Sequence, residues 1–212
     1  MSIVLLCIFG ALAAAHVIII LIGNRRLQAI TKICLLPVLA LYYYFSAGTF
    51  LAQVLFALFF GWIGDLFLIK IRKPYFAIVG IFSFLAGHIC YILSMLTFIT
   101  TIKVTALVIS IIVIFCFELR VFVISKPEKK MLIPALCYGL IIAVMFVCAL
   151  QIMLCLMNAA GFIIFAGSIC FIVSDSFLAY YSFRKMTKRV NFLIMLTYIT
   201  AQACIVVGIG MN

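Results

Sequence analysis

The chain reads as an all-α protein, a polytopic transmembrane bundle of about eight helices with both termini on the non-cytoplasmic side. Three observations predict this. Of its 212 residues 70% are hydrophobic and 9% charged, whereas a soluble domain carries about 25% charged residues. The mean hydropathy is +1.48, and apolar runs of spanning length follow one another almost end to end. The basic residues collect in every second break between those runs.

The first run, Ile3 to Gly23, has no basic segment ahead of it. With no small-residue cleavage site before Arg25-Arg26, it is expected to be a retained span. The second, Ile33 to Phe45, is short and holds Pro37. A proline is tolerated in a span when a neighbour satisfies the carbonyl it frees, and the Ser46-Ala47-Gly48-Thr49 turn is expected to complete this segment. Six further spans are expected over Phe50 to Ile69, Tyr75 to Ile99, Val104 to Ile124, Met131 to Gln151, Ala159 to Phe183 and Phe192 to Met211.

Arg25, Arg26 and Lys32 follow the first span, and Lys70, Arg72 and Lys73 the third. Lys126, Lys129 and Lys130 follow the fifth, and Arg184, Lys185, Lys188 and Arg189 the seventh. The remaining connections hold only Lys103. The positive-inside rule places the basic loops in the cytoplasm and both termini opposite. Topology thus accounts for the net charge of +11, which forms no stripe of the kind that binds nucleic acid.

Nine cysteines are scattered through the apolar runs without a CxxC spacing and read as reduced core residues. The connections are short and no repeat or linker is visible, so residues 1–212 are expected to form a single domain. Short loops and compactness suit a bacterial inner membrane.

Of the four acidic residues, Asp65, Glu118 and Asp175 fall inside spans. An ionisable group in the bilayer costs a few kcal/mol to insert, about 3 on translocon scales, and is a functional candidate by default. Asp65 lies in Gly61-Trp62-Ile63-Gly64-Asp65-Leu66, roughly 8 Å along the helix from its cytoplasmic end. Its glycines permit close approach of a helix or a ligand; the competing reading is a carboxylate that pairs with a neighbouring lysine or caps a frayed helix end. Asp175, in Val173-Ser174-Asp175-Ser176, lies roughly 13 Å deep. Gly161, Ser168, Asp175 and Ser182 recur at heptad spacing, a small polar stripe expected to face the interior.

In the fourth run Gly80, Phe84, Gly87, His88 and Tyr91 share a helix face, with the imidazole and the phenol one turn apart. A histidine there serves packing as often as catalysis, and His16 in the Ala-rich first run looks structural. Glu118 stands two residues before Arg120 and either pairs with it or belongs to the site. Tyr198 and Gln202 add a phenol and an amide on one face, and Lys32 is placed to reach a headgroup phosphate. Together these residues imply a polar chamber opening toward the cytoplasmic leaflet and rimmed with cations, suited to an amphiphile with a phosphate head.

Gly64-Asp65-Leu66-Phe67-Leu68, Gly87-His88-Ile89-Cys90-Tyr91, Ser174-Asp175-Ser176 and Tyr198 with Ala201-Gln202 resemble, in order and spacing, the lysoplasmalogenase-like (YhhN) family. Lys32 followed by Pro37, and Pro134 with Tyr138, extend the likeness over nearly the whole chain. The resemblance implies hydrolysis of the vinyl-ether bond of a lysoplasmalogen to a fatty aldehyde and a glycerophosphocholine or glycerophosphoethanolamine. It implies Asp65 and Asp175 as the catalytic pair, no cofactor or metal, and a lysophospholipid and the bilayer lipids as partners.

Vinyl-ether hydrolysis proceeds by protonation on carbon to an oxocarbenium ion that water captures. An enzyme for it needs a carboxylic acid still protonated near neutral pH, which burial in an apolar span can supply, and a carboxylate to direct water and stabilise the cation. Glycosidases divide labour between two carboxyl groups in the same way. The deeper Asp175 is the expected acid and Asp65 the expected base, with His88, Tyr91, Ser174, Tyr198 and Gln202 in support. Three rivals stand beside this reading. A zinc hydrolase needs more histidines than His16 and His88 supply; a small proton- or cation-coupled transporter would use the same aspartates; a noncatalytic lipid-binding or assembly protein would use the acids for structure.

Overall fold

The computed structural model describes residues 1–69, 74–120, 129–182 and 186–212. Among these the regular structure is entirely helical: α1 (Ser2–Ile22), α2 (Arg25–Ser46), α3 (Ala52–Ile69), α4 (Pro74–Leu96), α5 (Val104–Arg120), α6 (Lys129–Leu156), α7 (Ala159–Ser182) and α8 (Lys188–Gly210). Seven of them are long and apolar enough to cross a membrane, and α5 contributes the shorter apolar stretch Val104–Val113. The protein is an integral, multi-pass membrane protein. Side chains such as Ile109, Ile112 and Phe115 on α5 are exposed, as a lipid-facing surface requires.

The helices follow the expected spans closely, with one clear difference. α2 begins at Arg25, well before Ile33. Arg25, Arg26, Gln28 and Lys32 look like a loop on hydropathy, yet they are good helix formers. Asn24 starts the helix, its side chain accepting a hydrogen bond from the Leu27 amide at 3.2 Å, which satisfies one of the donors a helix N-terminus exposes. Pro37 stays inside the helix, and α2 ends at Ser46 without needing the following turn.

Two turns join helices with one residue in the left-handed region followed by an asparagine. Gly23 (φ 91°) closes α1, its amide bonded to the Ile19 carbonyl at 2.9 Å, a conformation that costs glycine little. Met157 (φ 48°) does the same after α6, its amide donating to the Met153 carbonyl at 3.0 Å. Asn158 then receives the Gly161 amide at 2.9 Å and opens α7.

The chain divides into two compact units: Met1–Ser94 with Ile209–Asn212, and Met95–Gly208. In the first, α1 packs on α2 and α2 on α3. The last residues are tied to the α2–α3 connection: the Gly48 amide donates to the Gly210 carbonyl at 3.1 Å, and the Thr49 hydroxyl to the Asn212 carbonyl at 3.1 Å. Buried Tyr43 braces that connection, donating to the Thr49 carbonyl at 3.3 Å and accepting from the Leu51 amide at 3.0 Å.

In the second unit α5 packs on α6 and α6 on α7. Lys103, just ahead of α5, is clasped at both backbone groups by the Gln151 amide side chain, at 2.9 and 3.1 Å. α7 meets α8 along Ala160, Ile164, Gly167, Phe171 and Ser174, alternate spacings of four and three that form one seam. A Cβ at Gly167 would lie 2.9 Å from Cys204 Cβ, and one at Gly208 3.0 Å from the Ala160 carbonyl oxygen. Ser174 donates to the Ile194 carbonyl at 3.1 Å. Small residues permit this closeness, the usual means of holding helices together where water supplies no driving force.

The nine cysteines are free thiols. Cys148 is the buried one, while Cys7, Cys34, Cys116 and Cys137 are exposed, so the expectation that they fill the core is corrected. In lipid a thiol is as acceptable on the outer surface as within.

Candidate functional site: two buried aspartates

On α3 the buried residues are Val54, Ala57, Leu58, Gly61, Gly64 and Asp65, spacings that trace one helix face. Asp65 is the last of them, its side chain 2% exposed, with Oδ1 3.0 Å from Nζ of Lys32, itself 14% exposed. The pairing weighed against a site for Asp65 is therefore present, and Lys32, expected at a headgroup, is engaged with a carboxylate.

One turn before Asp65, Trp62 makes a second link to α2. Its Nε1 donates to the Ile33 carbonyl at 2.9 Å. Ile33 is the residue four before Pro37, so its carbonyl is the one the proline leaves without an intrahelical donor. The indole replaces that donor, and the repair lies next to Lys32. Two adjacent residues of α2 are thus held by two residues one turn apart on α3.

The glycines near Asp65 are used for helix packing. A Cβ at Gly64 would come within 2.7 Å of the Phe84 ring on α4, and one at Gly80 within 3.2 Å of Leu68. One at Gly87 would lie 3.1 Å from the Ala57 carbonyl oxygen. The face of α4 expected from spacing is thereby turned inward: His88 and Tyr91 are buried at 3% and 1% exposure. His16 is also buried, its Nδ1 2.7 Å from Oγ1 of Thr31.

In the second unit Asp175 is 8% exposed, and its Oδ2 accepts a hydrogen bond from the Tyr138 hydroxyl at 3.0 Å. The expected stripe on α7 turns toward α6 at both of its described ends. A Cβ at Gly161 would lie 3.1 Å from Met153 Cα, Asp175 meets Tyr138, and Ser168 between them is buried. The side chain of Ser182 lies outside the described residues, as does that of Glu118. Ser176 is buried, and its Oγ has no hydrogen-bond partner among the described residues. Tyr198 and Gln202 are buried on α8. Gln202 Nε2 donates to the Tyr198 oxygen at 3.4 Å, and the Tyr198 ring stands edge-on to Phe171 at 6.0 Å.

The structure thus groups Lys32, Asp65, His88 and Tyr91 in one unit and Ser174, Asp175, Tyr198 and Gln202 in the other. Sequence reasoning missed three participants: Trp62, His16, and Tyr138 as the partner of Asp175. A signal existed for Trp62, since a proline in a span demands a donor and the chain has one tryptophan. Among the described residues no three His, Cys, Asp or Glu side chains come together as a metal site.

The YhhN family profile matches residues 27–209, a segment that contains both aspartates, Lys32 and Tyr138 and begins after α1. No curated protein and no solved structure gives a match.

Proposed function

The chain belongs to the YhhN family, and on that footing we propose that it is a lysoplasmalogenase-like hydrolase, cleaving the vinyl-ether bond of a lysophospholipid. The observation that carries the reading is the burial of two aspartates, Asp65 and Asp175, in apolar helices of the family-matched segment. A carboxyl group there costs several kcal/mol, on the order of 3 on insertion scales, and packing alone does not require one.

Asp175 gives its proton to the outer vinyl carbon, and the alkenyl C–O carbon becomes an oxocarbenium ion. Water adds to that carbon as a carboxylate takes one of its protons. The hemiacetal then loses its hydroxyl proton, the bond to the glycerol oxygen breaks, and that oxygen is protonated. One water is consumed, and one aldehyde and one alcohol are formed. Asp65 takes the carboxylate role because its charge is already balanced by Lys32 at 3.0 Å; Asp175, the deeper of the two along its helix, is the proton donor.

Lys32 carries three N–H donors, so a phosphate oxygen can share the ammonium with Asp65. Tyr138 and Ser174 orient Asp175 and its helix, and His88 and Tyr91 in the first unit, with Tyr198 and Gln202 in the second, are the supporting polar groups for water and the carboxylates. The basic loops face the cytoplasm, in a bacterial inner membrane, and the chain acts as one domain.

Purified protein in proteoliposomes, incubated with an alkenyl lysophospholipid, should release free aldehyde. Asp65→Asn and Asp175→Asn should each lower the rate by about a thousandfold, the scale of lost acid or base catalysis. Turnover retained in either variant, or none in the unaltered protein across alkenyl lipids, sinks the reading. Proton or cation flux without aldehyde would move the aspartates to transport.

A further inference from the structure

His16 stands outside the family-matched segment and is fully buried at 0% exposure. Thr31, its partner at 2.7 Å, has its hydroxyl oxygen 2.9 Å from the Leu27 carbonyl. The same oxygen also reaches the Gln28 carbonyl at 3.3 Å, and the imidazole joins this small network as its shortest contact, a hydrogen bond that either ring tautomer can make. Nε2 is buried and has no partner among the described residues. An apolar residue would fill the same space without leaving a polar atom unsatisfied, so the bond to Thr31 is the feature that distinguishes histidine here. Thr31 directly precedes Lys32 on α2.

We propose that His16 is a positioning residue: α1 clamps the first turns of α2 through the His16–Thr31 bond and so holds Lys32 against Asp65. The clamp completes a three-helix arrangement. α3 fixes Ile33 and Lys32 from one side through Trp62 and Asp65, and α1 fixes Thr31 from another. A free turn at Thr31 would let the lysine swing out to the interface, where its charge is better solvated. This inference rests on the reading of Asp65 as a catalytic carboxylate.

The test compares His16→Leu, which fills the space and cannot hydrogen-bond, with His16→Asn, whose amide can donate to Thr31. Thr31→Val keeps the shape and removes the hydroxyl. His16→Leu and Thr31→Val should each lower kcat/KM about tenfold, the scale of one lost hydrogen bond, with kcat falling and KM rising because Lys32 serves both Asp65 and the substrate phosphate, and the double variant should fall no further. His16→Asn should stay within about threefold of the unaltered protein. Equal behaviour of the Leu and Asn variants, or losses that multiply, overturns the clamp. If the unaltered protein releases no aldehyde, the functional reading fails and the clamp is judged by unfolding temperature instead. His16→Leu and Lys32→Met should then be non-additive, and additive shifts reject it.

Discussion

Asp65 in the first unit and Asp175 in the second are both lodged in apolar helices, but different chemistry accommodates them. Asp65 lies 3.0 Å from an ammonium, while Asp175 receives a phenolic hydroxyl at the same distance. The first contact cancels a charge, and the second satisfies a lone pair. Both partners are part-exposed, Lys32 in the first half of α2 and Tyr138 in the first half of α6. Burial of a carboxylate therefore does not by itself assign it a role; its partner does.

Exchanging the partners separates the two cases. Lys32→Met leaves the Asp65 carboxylate buried beside a thioether and should destabilise the protein by about 3–5 kcal/mol, the cost of breaking a buried pair from one side. Adding Asp65→Asn should recover most of that loss, because no uncompensated charge remains. Thermal unfolding in detergent measures both, and a Lys32→Met variant as stable as its parent would mean that the pair contributes nothing.

A smaller effect tests whether α2 and α3 act as one support for that pair. Trp62→Phe should cost about 1–3 kcal/mol by orphaning the Ile33 carbonyl. The loss should shrink in a Pro37→Ala background, where residue 37 regains an amide that can serve that carbonyl. Equal losses in the two backgrounds would separate the indole from the proline.

The smallest change is expected in the second unit. Tyr138→Phe removes one hydroxyl and should cost about 1–2 kcal/mol of stability, with turnover falling roughly tenfold through poorer orientation of Asp175. A Tyr138→Phe penalty as large as that of Lys32→Met would erase the distinction between the two aspartates.

Much of this was legible in the sequence. Run length marked the spans because lipid demands long, uninterrupted apolar helices. The α7 stripe was legible because Gly161, Ser168 and Asp175 recur at a period that a helix turns into a face. The start of α2 was not, since hydropathy weighs the charges of Arg25 and Lys32 and ignores the Asn24 cap and the helix-forming residues behind it. The partners of the aspartates were hidden for a different reason. Lys32 and Tyr138 are remote in sequence from Asp65 and Asp175, and only helix pairing decides which cation or phenol arrives. The same holds for His16, bland in its Ala-rich run until Thr31 is brought against it.

The bond from Trp62 to the Ile33 carbonyl has an optical consequence. The chain has a single tryptophan, so emission excited at the red edge, beyond tyrosine absorption, comes from one indole, hydrogen-bonded beside Lys32 and one turn from Asp65. The emission wavelength and quenching of that indole report on the joint between α2 and α3 without any label. A phosphate-bearing lipid that draws Lys32 toward its headgroup would shift the colour of the protein's own fluorescence before any product forms.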